Sequence, residues 1–308
     1  MTPGGRAPVV ALLPAGELAR ELEPAVRSAG LETTADPAAA DALVWCSWRP
    51  AGLAQVLERA PHATWVQLPY AGIENFLGLV DDSRTWTCAK DVYGLSVAEL
   101  ALGLLLAGVR RIDRYARASS WQPLEQGTLR DATVLVFGAG GIGRRLTEML
   151  LPLGARVLVV SRSGTPVAGA EALTAAEGRT AVATADAVVL AVPLTDETKG
   201  LVDRDFLAEM KSTAWLVNVA RGGVVVTDDL VQALEEHTIA GAGLDVTDPE
   251  PLPDGHRLWQ LDNVIITPHV ANTDGLGTAD LAALVGENCR RFRAGEPLKG
   301  IVDPAAGY

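Results

Sequence analysis

The chain has 308 residues, 48% hydrophobic and 21% charged, a composition that suits two globular domains and excludes a disordered chain. Its net charge of −12 repels phosphate backbones and argues against nucleic acid as a partner. The longest apolar candidate, Leu100 to Val109, is too short to span a bilayer, and Met1-Thr-Pro-Gly-Gly-Arg6 lacks a secretory apolar stretch, so a cytoplasmic protein with no membrane partner is expected.

In chain order, short apolar runs alternate with longer helical patterns, the rhythm of parallel sheets covered on both faces. The first strands are expected at Val9–Leu13, near Leu31–Thr34 (the weakest), Ala42–Cys46, Thr64–Leu68 and Trp86–Ala89, with helices over Glu17–Ala29 and Leu53–Arg59. One long helix is expected from Ser96 to Ala118, opened by a capping box of Ser96 and Glu99. A polar, turn-rich stretch follows to Asp131. Six denser strands come next, at Thr133–Phe137, Arg156–Val160, Ala187–Val192, Ala214–Val219, Ala242–Val246 and Val264–Thr267, as in a doubly wound nucleotide-binding sheet. A last helix covers Ala279–Arg293. Cys46, Cys88 and Cys289 stand far apart without CxxC or histidine-rich spacing; neither a disulfide framework nor a metal site is expected, and a reducing compartment fits.

Gly138-Ala-Gly140-Gly141-Ile142-Gly143 follows the run Val134–Phe137 and opens a helical pattern at Arg144–Leu151. This is GxGxxG in a strand–turn–helix setting. Gly138 permits the turn, Gly140 lets the backbone approach a pyrophosphate, and Gly143 lets helix and strand pack closely. A tight structural turn is the competing reading. Ser161-Arg162-Ser163 stands where an NAD site usually carries Asp or Glu, roughly 20 residues on. Two hydroxyls and a guanidinium suit a 2′-phosphate, so NADP is expected to be preferred and NAD possible, although any one of the three also reads as part of an exposed polar turn.

Three further segments end apolar strands: Asn218-Val-Ala-Arg221-Gly-Gly, Gly243-Leu-Asp245-Val-Thr-Asp-Pro-Glu250-Pro and Thr267-Pro-His269. Open α/β sheets bind ligands at that edge. A guanidinium can bind the carboxylate and ketone of a 2-oxo acid as a planar fork. A histidine can donate the proton that a developing alkoxide needs, and a glutamate beside it orients the ring and favours its protonated form. Singly, each has a structural reading: a strand-end histidine, an ion-paired arginine, a solvated glutamate between prolines. Of the four histidines, at 62, 237, 256 and 269, only His269 ends an expected sheet strand.

With these segments in place, the chain resembles the D-isomer-specific 2-hydroxyacid dehydrogenases over nearly its whole length. The matching segments are Tyr70-Ala-Gly-Ile-Glu-Asn, Ser96-Val-Ala-Glu-Leu-Ala-Leu, the glycine loop, Ala191-Val-Pro-Leu-Thr, Asn218-Val-Ala-Arg-Gly-Gly, Leu244-Asp-Val and Thr267-Pro-His. Ala42-Leu-Val-Trp-Cys, Trp121-Gln-Pro-Leu and Ser161-Arg-Ser place it nearest the glyoxylate/hydroxypyruvate reductases. The resemblance implies a Rossmann domain (95–272) inserted in a flavodoxin-like substrate domain (1–94 and 273–308), so the last helix should return to the first domain. It implies that Arg221 binds substrate, His269 donates the proton and Glu250 is its partner. Gly141, Ile142, Val192, Pro193, Val219, Ala220, Arg221 and Asp245 would contact the cofactor, and the backbone of Ala71, Gly72 and Ile73 the substrate carboxylate. A homodimer joined through the nucleotide domain and the Ser96–Ala118 helix is implied as well. Thr247, Tyr70 and Glu74 depart from the family pattern, which bears on the substrate. Trp45, Trp48 and Trp121 could wall a pocket or fill a core. The competing functions are a nucleotide-sensing corepressor and a dehydrogenase of another substrate, such as phosphoglycerate or phosphite.

Overall fold

The structure, a computed structural model, describes residues 6–272 and 275–304. The N-terminal stretch read for a signal (apart from Arg6) lies outside the described residues, as do residues 273–274, beside which one expected domain boundary falls.

The elements run β1 (Val9–Leu13), α1 (Glu17–Ser28), β2 (Glu32–Thr34), β3 (Ala42–Trp45), α2 (Leu53–Arg59), β4 (Trp65–Gln67), β5 (Thr85–Thr87), α3 (Gly94–Val109), α4 (Ile112–Ala116), β6 (Thr133–Phe137), α5 (Gly141–Leu150), β7 (Arg156–Val160), β8 (Glu171–Leu173), α6 (Ala175–Ala181), β9 (Ala187–Leu190), α7 (Arg204–Glu209), β10 (Trp215–Asn218), α8 (Thr227–Glu235), β11 (Gly241–Leu244), β12 (Val264–Ile266) and α9 (Thr278–Ala294). They form two compact units, Met1–Tyr93 with Asp274–Tyr308, and Gly94–Thr273.

The first unit is built on a parallel sheet of order β2-β1-β3-β4-β5, the flavodoxin-like arrangement. Its central strands β1 and β3 read as unbroken apolar runs because both faces are covered. Along β3, Ala42 and Val44 join one core with Leu22, Val26, Leu281 and Val285, while Leu43 and Trp45 join the other with Leu57, Phe76 and Trp86. The period of two thus sorts one strand into two cores. Helix α9 supplies Leu281, Val285 and Cys289 to the first core and packs on α1. Burying one Leu or Val in this way stabilises by about 1.5–3 kcal/mol.

The second unit holds a seven-stranded sheet, β12-β11-β10-β9-β6-β7-β8, every neighbouring pair parallel. Counted from β6, this is the doubly wound Rossmann order with one added strand, and the order reverses between β6 and β9. Helix α3 lies close on β10 and β11 because glycines clear its way. A Cβ on Gly243 would come within 2.9 Å of Leu104 Cβ, and one on Gly108 within 2.0 Å of the Trp215 ring.

Three expectations need correcting. The helix expected over Ser96–Ala118 is two helices. It begins at Gly94, so Ser96 lies inside the first turns rather than at the cap, and it closes where the Arg111 N–H donates to Gly108 O at 3.0 Å and Arg111 turns left-handed at φ 54. The second sheet has a strand the pattern omitted, β8, a three-residue edge strand paired only with β7. Of the three tryptophans, only Trp45 is a core residue; Trp121 is 100% exposed and Trp48 57%. All three cysteines are free, and burial pushes Cys46 and Cys289 up to about 12 and raises Cys88. No helix of the described residues is long and apolar enough to cross a membrane.

Candidate active site

The glycine loop lies where β6 exits the sheet, beside the exit of β9. Gly138 turns at φ 120, and a Cβ there would lie 2.2 Å from Ala191 O. A Cβ on Gly143 would lie 1.9 Å from Gly138 O, so only glycine lets α5 start this close to the strand. A Cβ on Gly140 would meet nothing within 4 Å. Open space therefore faces the backbone at the start of a ten-residue helix, whose first N–H groups, at Gly141, Ile142 and Gly143, have no intrahelical acceptor. A pyrophosphate fits this cradle. The neighbouring exits carry Val192 and Pro193 after β9, and Val219 and Ala220, both buried, after β10.

Ser161, Arg162 and Ser163 follow β7, on the far side of the glycine loop. Ser161 Oγ accepts from Thr165 N at 2.7 Å, and Ser163 Oγ lies 3.0 Å from Thr165 Oγ1, so the turn is ordered by its own hydroxyls. Along the chain no acid follows this turn until Glu171, but Glu197 comes from the β9–α7 connection. Its carboxyl is held below the ordinary range, first by the Thr195 hydroxyl, then by its own backbone N–H and, least, by the charge of Arg162.

Arg221, Glu250 and His269 follow β10, β11 and β12, three neighbours in one sheet. Asn218, at the end of β10, fixes the turn into Arg221: its Nδ2 donates to Arg221 O at 3.0 Å and its Oδ1 accepts from Ala220 N at 3.0 Å. The guanidinium Nη1 donates to Ala220 O at 2.8 Å. Gly222 lets this turn touch the next, since a Cβ there would lie 1.9 Å from Thr247 O. His269 Nδ1 and Glu250 Oε1 are 2.6 Å apart, both side chains part-exposed. With Nδ1 facing the carboxylate, Nε2 is the nitrogen left for chemistry.

His269 sits at φ 53, a conformation a side chain enters only when its surroundings enforce it. Asp245 does so. Its backbone O accepts from His269 N at 2.8 Å, while its buried carboxylate accepts from Thr267 Oγ1 at 2.6 Å, Val270 N at 2.9 Å and Ala271 N at 3.2 Å. Sequence reading assigned Asp245 to the cofactor; the structure uses both its oxygens on the His269 loop. Asn218 and Thr267 were quoted in their motifs but given no role.

In the first unit, Ala71, Gly72 and Ile73 follow β4. Among the described residues their N–H groups have no hydrogen-bond acceptor. A cavity of about 710 Å³ does occur in the second unit, but at the opposite, N-terminal edge of the sheet, among Arg111, Arg130, Ala132, Trp215, His237 and Asn263. It contains none of the residues above. Among the described residues no group of His, Cys, Asp and Glu is placed to hold a metal ion.

Residues 101–271, more than half of the chain, match the family described as D-isomer specific 2-hydroxyacid dehydrogenase, NAD binding domain. Among proteins of similar sequence, the glyoxylate/hydroxypyruvate reductase A of Serratia proteamaculans is 36% identical over 218 residues, 68% of each chain. Among solved structures, a D-isomer specific 2-hydroxyacid dehydrogenase from Xanthobacter autotrophicus Py2, in complex with NADPH and MES, is 30% identical with a TM-score of 0.86, covering 98% of this chain and 100% of that one. An NADPH-dependent glyoxylate/hydroxypyruvate reductase from Sinorhizobium meliloti, in complex with NADP and sulfate, is 29% identical with a TM-score of 0.83 over the same shares.

Proposed function

The chain belongs to the D-isomer specific 2-hydroxyacid dehydrogenase family and is an NAD(P)-dependent oxidoreductase, and from that premise we propose that it reduces a small 2-oxo acid of the glyoxylate or hydroxypyruvate kind to the D-2-hydroxy acid, preferring NADPH. The observation that carries this reading is the Glu250–His269 pair, oriented by hydrogen bond and placed on strand exits beside Arg221.

When bound, the reduced nicotinamide would supply a hydride to the carbonyl carbon next to the substrate's carboxylate. Arg221 binds the substrate's carboxylate and 2-oxo oxygens through its planar fork. His269, its Nδ1 held by Glu250, gives its proton from Nε2 to the oxygen as charge develops there, which completes the hydroxy acid. Asn218 and Asp245 hold the backbones of Arg221 and His269. In the first unit, which we assign as the substrate domain, the N–H groups of Ala71, Gly72 and Ile73 bind the carboxylate. The second is the dinucleotide domain: Gly138, Gly140, Gly141, Ile142 and Gly143 cradle the pyrophosphate, and Val192, Pro193, Val219 and Ala220 contact the cofactor. Ser161, Arg162 and Ser163 receive the 2′-phosphate. A homodimer joined through the second unit fits the exposed Leu95, Ile112 and Trp121 there.

The deciding experiment is kcat/KM for glyoxylate, hydroxypyruvate, pyruvate and branched 2-oxo acids with each reduced cofactor. Glyoxylate or hydroxypyruvate should lead, and NADPH should exceed NADH about tenfold. An NADPH to NADH ratio at or below one rejects the 2′-phosphate reading, and no turnover of any acid favours a binding protein instead.

A further inference from the structure

Three successive carbonyls of the loop leaving β4 are each tied down. Leu68 O accepts from Gln67 Nε2 at 2.8 Å, Pro69 O from the Tyr93 hydroxyl at 2.7 Å, and Tyr70 O from Ala89 N at 3.1 Å. Burial, and to a lesser degree Tyr70, raises the Tyr93 phenol above its ordinary value, so its hydroxyl stays a donor. The next three residues are Ala71, Gly72 and Ile73, whose N–H groups are free among the described residues.

Behind Gln67 lies a neutral network with no solvent exposure. Gln67 Oε1 accepts from Thr87 Oγ1 at 2.8 Å and from Asn288 Nδ2 at 2.9 Å. Thr87 Oγ1 accepts in turn from Trp65 Nε1 at 2.8 Å. Asn288 closes against the backbone of Lys299, donating to its O at 3.0 Å and accepting from its N at 2.8 Å. Those two backbone groups fix which end of the Asn288 amide is oxygen. The relative exposure of Gln67, Thr87 and Asn288 is 0%.

Apolar residues of the same shape would stabilise such a place about as well. What a fully satisfied buried network adds is a single allowed geometry. Here the geometry it sets is that of Leu68 and the loop beyond. We propose that Gln67, Thr87 and Asn288 are positioning residues for substrate: they hold the loop so that the Ala71–Ile73 backbone presents its N–H groups to the carboxylate. Asn288, on α9, reaches Gln67, the last residue of β4, across 221 positions of sequence. The proposal rests on the reading that Ala71–Ile73 binds the carboxylate.

Thr87→Val keeps the shape of the side chain and removes its hydroxyl; Thr87→Ser keeps the hydroxyl. With glyoxylate and NADPH, Thr87→Val should raise the glyoxylate KM about three- to tenfold. Its kcat and its Kd for NADPH should stay within about twofold, because the residues assigned to those steps are in the other unit. Thr87→Ser should stay within about twofold on all three. An unchanged KM in Thr87→Val overturns the proposal, and so does a parallel loss of KM, kcat and NADPH affinity, the mark of a merely structural role. If Thr87→Val does not fold, Gln67→Met, of similar length, carries the same test. Ala71→Pro removes an N–H from the loop itself and separates the two claims. If Ala71→Pro raises KM and Thr87→Val does not, the positioning role alone fails. If Ala71→Pro leaves KM unchanged, the carboxylate reading fails and takes the proposal with it.

Discussion

The loop that carries His269 is held by a charge, and the loop that carries Ala71, Gly72 and Ile73 is held by neutral groups. Asp245 takes three donors on one buried carboxylate and keeps His269 left-handed. Gln67, Thr87 and Asn288 do comparable work with amides and a hydroxyl. The difference matches the roles proposed for the two loops. A fixed anion suits a loop that turns two backbone N–H groups and a hydroxyl toward it. The same anion under a loop meant for a carboxylate would repel it, by several kcal/mol at short range in a protein interior. Rigidity alone would allow either device; on the proposed reading, the sign of the ligand selects between them.

The largest expected effect breaks the charged side outright. His269→Ala should lower kcat about 100- to 10,000-fold with little change in NADPH affinity, measured by steady-state turnover and cofactor titration. A kcat within a few-fold of the parent would reject His269 as the acid. Arg221→Lys comes next. It keeps the charge and loses the fork, so kcat/KM for glyoxylate should fall about 10- to 100-fold, with both constants affected. Unchanged kinetics on every 2-oxo acid would make Arg221 structural.

Asp245→Asn sharpens the comparison, since the replacement is neutral yet mismatched. An amide NH2 would face N–H donors, so about 1–3 kcal/mol of stability should go, and kcat should fall about tenfold as the His269 loop relaxes. Thermal unfolding and kinetics of the one variant test both, and wild-type values of either would mean the loop is held by other contacts. The smallest effect concerns Arg162→Ala, which lies outside both loops. It should cut NADPH preference by about tenfold or less and leave NADH nearly unchanged. Equal losses for both cofactors would move the arginine's role to the adenine.

The periodicity of the chain was enough for most of the architecture, because parallel strands buried on both faces are conspicuous as apolar runs. It failed at β8, where Glu171-Ala-Leu173 is short, lacks β-branched residues and pairs on one side only. It failed at the end of α3, because Arg111 turns left-handed with neither glycine nor proline to announce it. The motifs made Arg221, Glu250, His269 and the glycine loop visible, since each stands at a strand end beside glycine or proline. The groups that hold them were hidden. Asp245 reaches Val270 and Ala271 across 25 and 26 positions, and Gln67 meets Asn288 across 221, and no local pattern encodes such pairs. Glu197 near Arg162 was missed for the same reason.

The distance between Gln67 and Asn288 also orders events during synthesis. The second unit is one continuous stretch, Gly94–Thr273, and is complete before α9 has been translated. The first unit cannot seal its core until Leu281, Val285 and Cys289 arrive, nor join its buried network until Asn288 and Lys299 do. A ribosome therefore finishes the half bearing Arg221 and His269 first, while α1 and β4, made much earlier, wait with an uncovered apolar face. Chains truncated after residue 275 and released should resist protease across the second unit and be cut in the first, and any delay in the emergence of α9 lengthens the interval in which that face is open to chaperones or to other chains.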